Sequence, residues 1–358
     1  MMMISSLRLS FPRFVVSSPN SRFFLASSAV RHITYDGTPT SLASHSKRNL
    51  GDSLSLDIDT VPLEFDKHSP PEDKFHPKPK NQPIVFLHGL FGNKLNNRAV
   101  SKQLARLLNR DVYCLDLRNH GDSPHINRHD YPALAADVEQ FCITKKLEKP
   151  ILIGHSMGAK TAMACVLRRP KAFSALISVD NAPIDNTGGS TGFSKFGFYV
   201  RELMKITKQT NPVVKNLKDV DQILSTVEDK LPVRQFLASN LKRVSSPKEG
   251  EPIFYSKVPL DIIGRNLDNI SDFPFDSEVV RWSGPALFIR GEYSPYVADD
   301  VLDKVGRFFP RFETRDVKAA HWLISENPKA FVEVVVDWIQ RIDEEHLANN
   351  SGTNIIGH

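Results

Sequence analysis

The sequence predicts an α/β fold: a mostly parallel β-sheet with helices on both faces and an inserted helical cap. Three observations predict it. Between residues 83 and 180, short apolar runs alternate with segments of helical spacing, the pattern of parallel strands joined by helical crossovers. Over 185–280 that alternation stops, and helix-like stretches follow one another without a clear strand. Strand patterns then return at 285–291 and 312–317, followed by a closing helix at 327–342.

Taken in order, residues 1–35 carry Arg8, Arg13, Arg22 and Arg31, eight serines, no lysine and no acid. Apolar residues such as Leu7, Leu9, Phe11, Phe14, Val15 and Val16 are interleaved with those arginines. This is the composition of a mitochondrial transit peptide; arginines interrupt every candidate core of a secretory signal. Residues 36–60 are polar, VPLEF at 61–65 reads as a strand, and 69–83 is a Pro/Lys loop. IVFLHG (84–89) is a buried-type strand, and 97–109 places Val100, Leu104, Leu107 and Leu108 at helical spacing. Strand DVYCLDL (111–117), helix 131–147, strand ILIGHS (151–156), helix 157–169 and strand ALISVD (175–180) continue the alternation. Within the cap, helices are expected at 193–208, 217–227 and 232–244, and after 343 the tail is polar and expected to fray. The expected organisation is thus a leader at 1–35, a core at 61–184 and 281–342, a cap at 185–280 and a tail at 343–358.

Composition narrows the function classes. Among 358 residues, 46 are Lys or Arg and 41 are Asp or Glu, a formal charge of +5. Four of those cations and none of the acids lie in residues 1–35, so the body carries only +1. Such a body offers no argument for nucleic acid. No apolar stretch approaches the roughly 20 residues of a spanning helix. Cys114, Cys142 and Cys165 form no CxxC pair, so neither a disulfide framework nor a cysteine metal site is expected.

The chemistry gathers in four places. Gly154-His155-Ser156-Met157-Gly158 is a GxSxG pentapeptide. A chance match in a chain this long has a probability on the order of 0.1, but here the motif closes a buried strand and opens a helix, as a nucleophile elbow requires. The Met157 amide then stands at a helix N-terminus, and His88-Gly89-Leu90-Phe91-Gly92 supplies a second amide, that of Leu90, for an oxyanion hole. His321 lies between the last strand and the last helix, where the hydrolytic base belongs in chain order. His88, His120 and His155 are expected to bond loop backbone. For the acid, the turn after 285–291 reads Gly291-Glu292-Tyr293-Ser294, with serine in the expected place. Asp180, at the end of the strand after the nucleophile's helix, is the alternative that spacing favours, with Glu292 and Asp299 as fallbacks and Ser294 as a supporting hydrogen bonder. Asp116–Ser123 is expected to organise a loop beside the site. No HExxH, GxxxxGK or GxGxxG occurs.

HGLFGNKLNNR (88–98), DLRNHGDSPH (116–125), GHSMGAKTAM (154–163), VDNAP (179–183) and AAHWL (319–323) resemble the α/β-hydrolase superfamily, over about residues 61–342. More narrowly they resemble a mitochondrial branch with the α/β-hydrolase domain-containing protein 11 group and the fungal ethanol acetyltransferases. The resemblance implies an α/β-hydrolase fold and carries the acid onto Asp180. It also implies ethyl acetate synthesis from acetyl-CoA and ethanol, with esterase and thioesterase side activity. The expectation is a mitochondrial enzyme, in the matrix or at the inner membrane, with Ser156, Asp180 and His321 as its triad. Acetyl-CoA enters as acyl-donor substrate; no cofactor and no metal are expected. The partners are a small acyl thioester or ester and an alcohol or water. Two other readings stand beside it: a short-chain carboxylesterase or thioesterase, and a non-catalytic hydrolase fold that binds a protein partner.

Overall fold

The computed structural model describes residues 32–33, 39–40, 53–71, 82–187, 194–208, 214–248 and 251–352. The expected leader therefore lies outside the described residues, apart from the backbone of a short ladder, β1 (His32–Ile33) against β2 (Pro39–Thr40). The first half of the core comprises β3 (Phe65–His68), β4 (Ile84–Leu87), α1 (Arg98–Leu108), β5 (Val112–Leu115), α2 (Tyr131–Thr144), β6 (Ile151–His155), α3 (Met157–Arg168) and β7 (Ala175–Val179). The cap contributes α4 (Ser194–Lys208), α5 (Leu217–Leu224), α6 (Leu231–Ala238), β8 (Leu241–Arg243), β9 (Phe254–Ser256), α7 (Leu260–Arg265) and α8 (Leu267–Ser271). The core resumes with β10 (Ala286–Gly291), α9 (Leu302–Phe308), β11 (Phe312–Val317), α10 (Leu323–Glu326) and α11 (Pro328–Gly352).

Seven strands form the main sheet in the order β11-β10-β7-β6-β4-β5-β3. All neighbours run parallel except the edge strand β3, which is antiparallel to β5. Every residue of β4, β6 and β7 is buried, which is why these strands read as unbroken apolar runs. Alternate residues still serve different faces. Val85, Leu87, Leu152 and Leu176 join the core beneath α2, α3 and the cap, whereas Ile84, Phe86, Ile151, Ile153 and Ile177 join the core under α1 and α11.

Three local expectations are corrected. The strand expected at 61–65 lies at Phe65–His68 instead. Val61 and Glu64 give their N–H groups to the Asp137 and Ser123 side chains, and ladder pairing with β5 starts only at Phe65↔Leu115. The cap is not all helical: α6 stops at Ala238, and Leu241–Arg243 pairs with Phe254–Ser256 as an antiparallel hairpin. Leu241 is buried while Lys242 and Arg243 are both exposed, a pattern without strand alternation that does not distinguish it from a helix end. Finally, α11 runs on to Gly352 rather than fraying after 343. Arg110 holds Asp343 at 2.5 Å and Arg341 pairs with Glu345 one turn on at 2.8 Å, so those polar residues are a helix face. Among the described residues, no helix is long and apolar enough to cross a membrane.

Candidate active site

The strand–helix junction at β6 and α3 is shaped by two glycines. A Cβ on Gly154 would lie 2.1 Å from the Gly158 carbonyl oxygen, and one on Gly158 would lie 2.4 Å from that of Leu87. Only bare backbone fits where helix, turn and neighbouring strand meet. The turn leaves Ser156 at φ 54° and ψ −114°, a strained conformation for an L-residue. Its N–H bonds to the Val179 carbonyl at 3.0 Å and its own carbonyl accepts from the Asn181 side chain at 3.1 Å. The elbow is thus tied to the end of β7.

Asp180 continues from that strand end, at φ 53° and fully buried. Its N–H bonds to the Ile289 carbonyl at 2.8 Å, which registers the β7–β10 edge directly under the carboxylate. One carboxylate oxygen accepts from the Gly291 N–H at 3.0 Å. The other accepts from the Ser294 hydroxyl at 2.5 Å and from His321 Nδ1 at 2.6 Å. A carboxylate only accepts, so the imidazole proton sits on Nδ1. Nε2 therefore turns its lone pair to Ser156 Oγ, 3.0 Å away. The structure brings Ser156, His321, Asp180 and Ser294 into one hydrogen-bonded chain. Glu292 is exposed and Asp299 is 88% exposed, paired instead with Arg290 at 2.6 Å; neither approaches the imidazole.

Three further groups hold the imidazole and its carboxylate. Tyr296 stacks on His321, ring centres 4.2 Å apart and 27° between planes. His155 Nε2 donates to the His321 carbonyl at 2.8 Å, and the Gly291 N–H anchors the carboxylate. The His155 bond to loop backbone is the one expected from the sequence; a glycine ending a strand beside the acid was the available signal for the Gly291 N–H, and the Tyr296 stacking depends on packing across the chain.

Leu90 and Met157 line a narrow cavity at Ser156 together with Lys160, Asn181, Phe196 and Tyr296. Its volume is about 10 Å³, close to the room one water needs. The loop carrying Leu90 is held by two buried, neutral histidines. His88 donates from Nδ1 to the Gly89 carbonyl at 2.8 Å and accepts at Nε2 from the Leu117 N–H at 3.0 Å. His120 accepts from the Phe91 N–H at 3.2 Å and donates to the Arg118 carbonyl at 3.0 Å. Burial pushes their pKa values down to about 4 and about 3, so both act as fixed dipoles. Asp116 organises the same wall: it accepts from the Lys94 backbone and ammonium at 2.6 and 2.5 Å and from the Asp122 N–H at 2.9 Å. Its carboxyl fills the space where a side chain on Gly121 would be. Across Gly89 lies a second, larger cavity of about 270 Å³, mostly apolar, lined by Asn97, Val100, His155, Phe236 and Trp322.

Among the described residues, no group of three or more His, Cys, Asp or Glu side chains is placed to hold a metal ion. What the arrangement offers is nucleophilic chemistry: a strained serine, an imidazole of defined tautomer and a buried carboxylate behind it.

The sequence profile of the alpha/beta hydrolase fold matches residues 82–328. The chain is similar to a protein named probable alcohol acetyltransferase from Saccharomyces cerevisiae, 40% identical over 281 residues, or 76% of this chain and 80% of that protein. It is 35% identical over 258 residues to the sn-1-specific diacylglycerol lipase ABHD11 of Mus musculus, covering 72% of this chain and 80% of that one. With ethanol acetyltransferase 1 of Hanseniaspora uvarum it shares 30% identity over 311 residues, 82% of this chain and 92% of the relative. A solved marine microorganism esterase superposes with a TM-score of 0.67 at 29% identity, covering 78% of this chain and 99% of its own.

Proposed function

The chain belongs to the alpha/beta hydrolase fold family, whose relatives here carry acetyltransferase, lipase and esterase names, and from that premise we propose that it is a mitochondrial alcohol O-acetyltransferase making ethyl acetate from acetyl-CoA and ethanol. The observation that carries the acyl-transfer chemistry is the hydrogen-bonded chain Asp180–His321–Ser156 ending at a cavity of about 10 Å³. Ser156 Oγ attacks the thioester carbonyl while His321 Nε2 takes its proton. Asp180 stabilises the imidazolium and keeps its Nδ1 proton in place. The Leu90 and Met157 amides receive the charge on the carbonyl oxygen. Collapse breaks the C–S bond, and His321 returns the proton to the departing thiolate. Ethanol then attacks the acetyl-serine, His321 takes the alcohol proton and passes it to Ser156, and the ester leaves.

The two cavities divide the labour. A narrow space with room for about one water matches the methyl of an acetyl group and no long chain. The 270 Å³ apolar cavity beyond Gly89 is assigned to the donor's leaving arm and then to the alcohol. The mitochondrial address rests on the arginine- and serine-rich, acid-free residues 1–35.

A hydrolytic reading is favoured by the diacylglycerol lipase and esterase names among the relatives. It differs in one particular: water rather than alcohol resolves the acyl-serine. The deciding experiment supplies the purified enzyme with acetyl-CoA, with and without ethanol, and separates ethyl acetate from acetate. Ester formation that scales with ethanol supports transfer; acetate alone at every ethanol concentration establishes the hydrolase. Ser156→Ala should lose fluorophosphonate labelling and about 10³-fold or more in turnover. Wild-type rates in that variant would end both readings.

A further inference from the structure

Lys160 lies one turn after Ser156 on the nucleophile's helix α3, with its side chain 1% exposed. A buried ammonium is costly unless every proton finds an acceptor. Here all three do. Nζ donates to the carbonyls of Ile184 at 2.8 Å, Ser271 at 2.7 Å and Asp272 at 3.0 Å. Those carbonyls belong to the two crossings of the cap: Ile184 is where the chain leaves β7 for the cap, and Ser271–Asp272 is where α8 ends and the chain turns back to the core. The Asn186 N–H also binds the Ser271 carbonyl at 2.9 Å, and the Tyr131 hydroxyl donates to that of Ile270 at 2.6 Å. One side chain of α3 thus clips both crossings together beside the nucleophile. Lys160, Tyr131, Asn186 and Ile270 all line the narrow cavity that holds Ser156.

We propose that Lys160 is a positioning residue that sets which acyl groups the enzyme accepts, by pinning both cap crossings against α3 so that the acyl cavity stays closed to longer chains. The assignment rests on the acyl-transfer reading of the site. An apolar side chain of equal length fills the same space but leaves the carbonyls of Ile184 and Asp272 without this donor and that of Ser271 with the Asn186 N–H alone, and carbonyls shielded from water are normally paired. A neutral amine has two protons for three acceptors, so loss of one proton leaves one of the three carbonyls without its bond to Lys160 and weakens the clip. Burial pushes the Lys160 pKa down to about 7, while the carboxylates of Asp272 and Asp185 on the crossings oppose that fall. From α2, the Tyr131 ring faces the ammonium at 5.6 Å.

The test measures kcat/KM for p-nitrophenyl acetate and p-nitrophenyl octanoate on the full-length protein and on Lys160→Met, from pH 6 to 9. Taking the acetate-to-octanoate ratio cancels any pH dependence of the chemical step that both esters share. The expected result is a ratio about tenfold lower in Lys160→Met at pH 6, roughly the effect of one lost hydrogen bond. Circular dichroism of Lys160→Met should overlay that of the wild type, so that a changed ratio reports the cavity and not unfolding. In the wild type the ratio should fall as pH rises through 7, and in Lys160→Met it should be flat. A folded Lys160→Met with an unchanged ratio overturns the assignment. Should that variant fail to fold, the wild-type titration decides, and a flat ratio overturns it equally. A wild-type protein that turns over neither ester removes the acyl-transfer reading itself, whereas an active one with an unaltered ratio removes only the role of Lys160.

Discussion

Asp180 carries a backbone angle that L-residues avoid, φ 53°, and accepts three hydrogen bonds that together fix its position. Asp180→Asn keeps the size but loses the charge that stabilises the imidazolium and the preference for an Nδ1 proton on His321. The expected loss in kcat is roughly 10⁴-fold. Ser294→Ala removes one neutral donor to the same oxygen, so a loss of about five- to tenfold is expected. Glu292→Gln and Asp299→Asn alter groups on the exposed side of their loop and should each cost less than about tenfold. Rates of acetyl-CoA consumption for the four variants, with circular dichroism to verify folding, check this ranking. A nearly wild-type Asp180→Asn beside a crippled Glu292→Gln would relocate the acid. At this scale the sequence was informative where chemistry is local. Ser156 is announced by flanking glycines whose absent side chains the turn requires. For the acid, position at a strand end favoured Asp180 but left Glu292 and Asp299 open, because Asp180 and His321 are 141 positions apart and approach only through the pairing of β7 with β10 and of β10 with β11.

Among the elements, the loop after β5 shows how the site's walls are held. Arg118 and Asp137 are both fully buried and meet through two hydrogen bonds of 2.6 and 2.8 Å, tying that loop to α2. Asp137 also receives the Val61 N–H at 2.8 Å, which docks the segment before β3. Removing one partner leaves an uncompensated buried charge. Asp137→Ala should therefore lower the unfolding free energy by about 3–5 kcal/mol. The double variant Arg118→Met with Asp137→Leu should recover most of that loss, since apolar replacement of a buried pair is often neutral. Urea unfolding followed by tryptophan fluorescence reads both values; an Asp137→Ala protein as stable as wild type would contradict the account. The core elements were legible because their burial is periodic: β4, β6 and β7 as apolar runs, α1 as a one-faced helix. The β8–β9 hairpin was not. Three-residue strands with one buried side chain carry too little pattern, and only their mutual pairing identifies them.

For the whole molecule, the charge division has a consequence. Residues 1–35 hold four of the five excess positive charges and the remainder is nearly neutral, so the leader should be dispensable for catalysis. We expect cleavage within residues 20–45 on import, and a chain begun after that point should keep full turnover. Mass spectrometry of the protein from mitochondria checks it; an intact Met1 terminus there, or residence of the full chain in the cytosol, would refute it. The chain's own sequence determined the alternating strands and helices of the core, the strand–turn–helix that carries Ser156 and the place of His321 after the last strand, because each is written in neighbouring residues. Tertiary structure alone decided that Asp180, which spacing favoured over Glu292 and Asp299, meets His321 directly, that Tyr296 stacks on the imidazole and that Lys160 joins the two ends of the cap. Those contacts join segments distant along the chain. Their geometry comes from strand register and from the need of buried polar groups for partners, neither of which local sequence encodes.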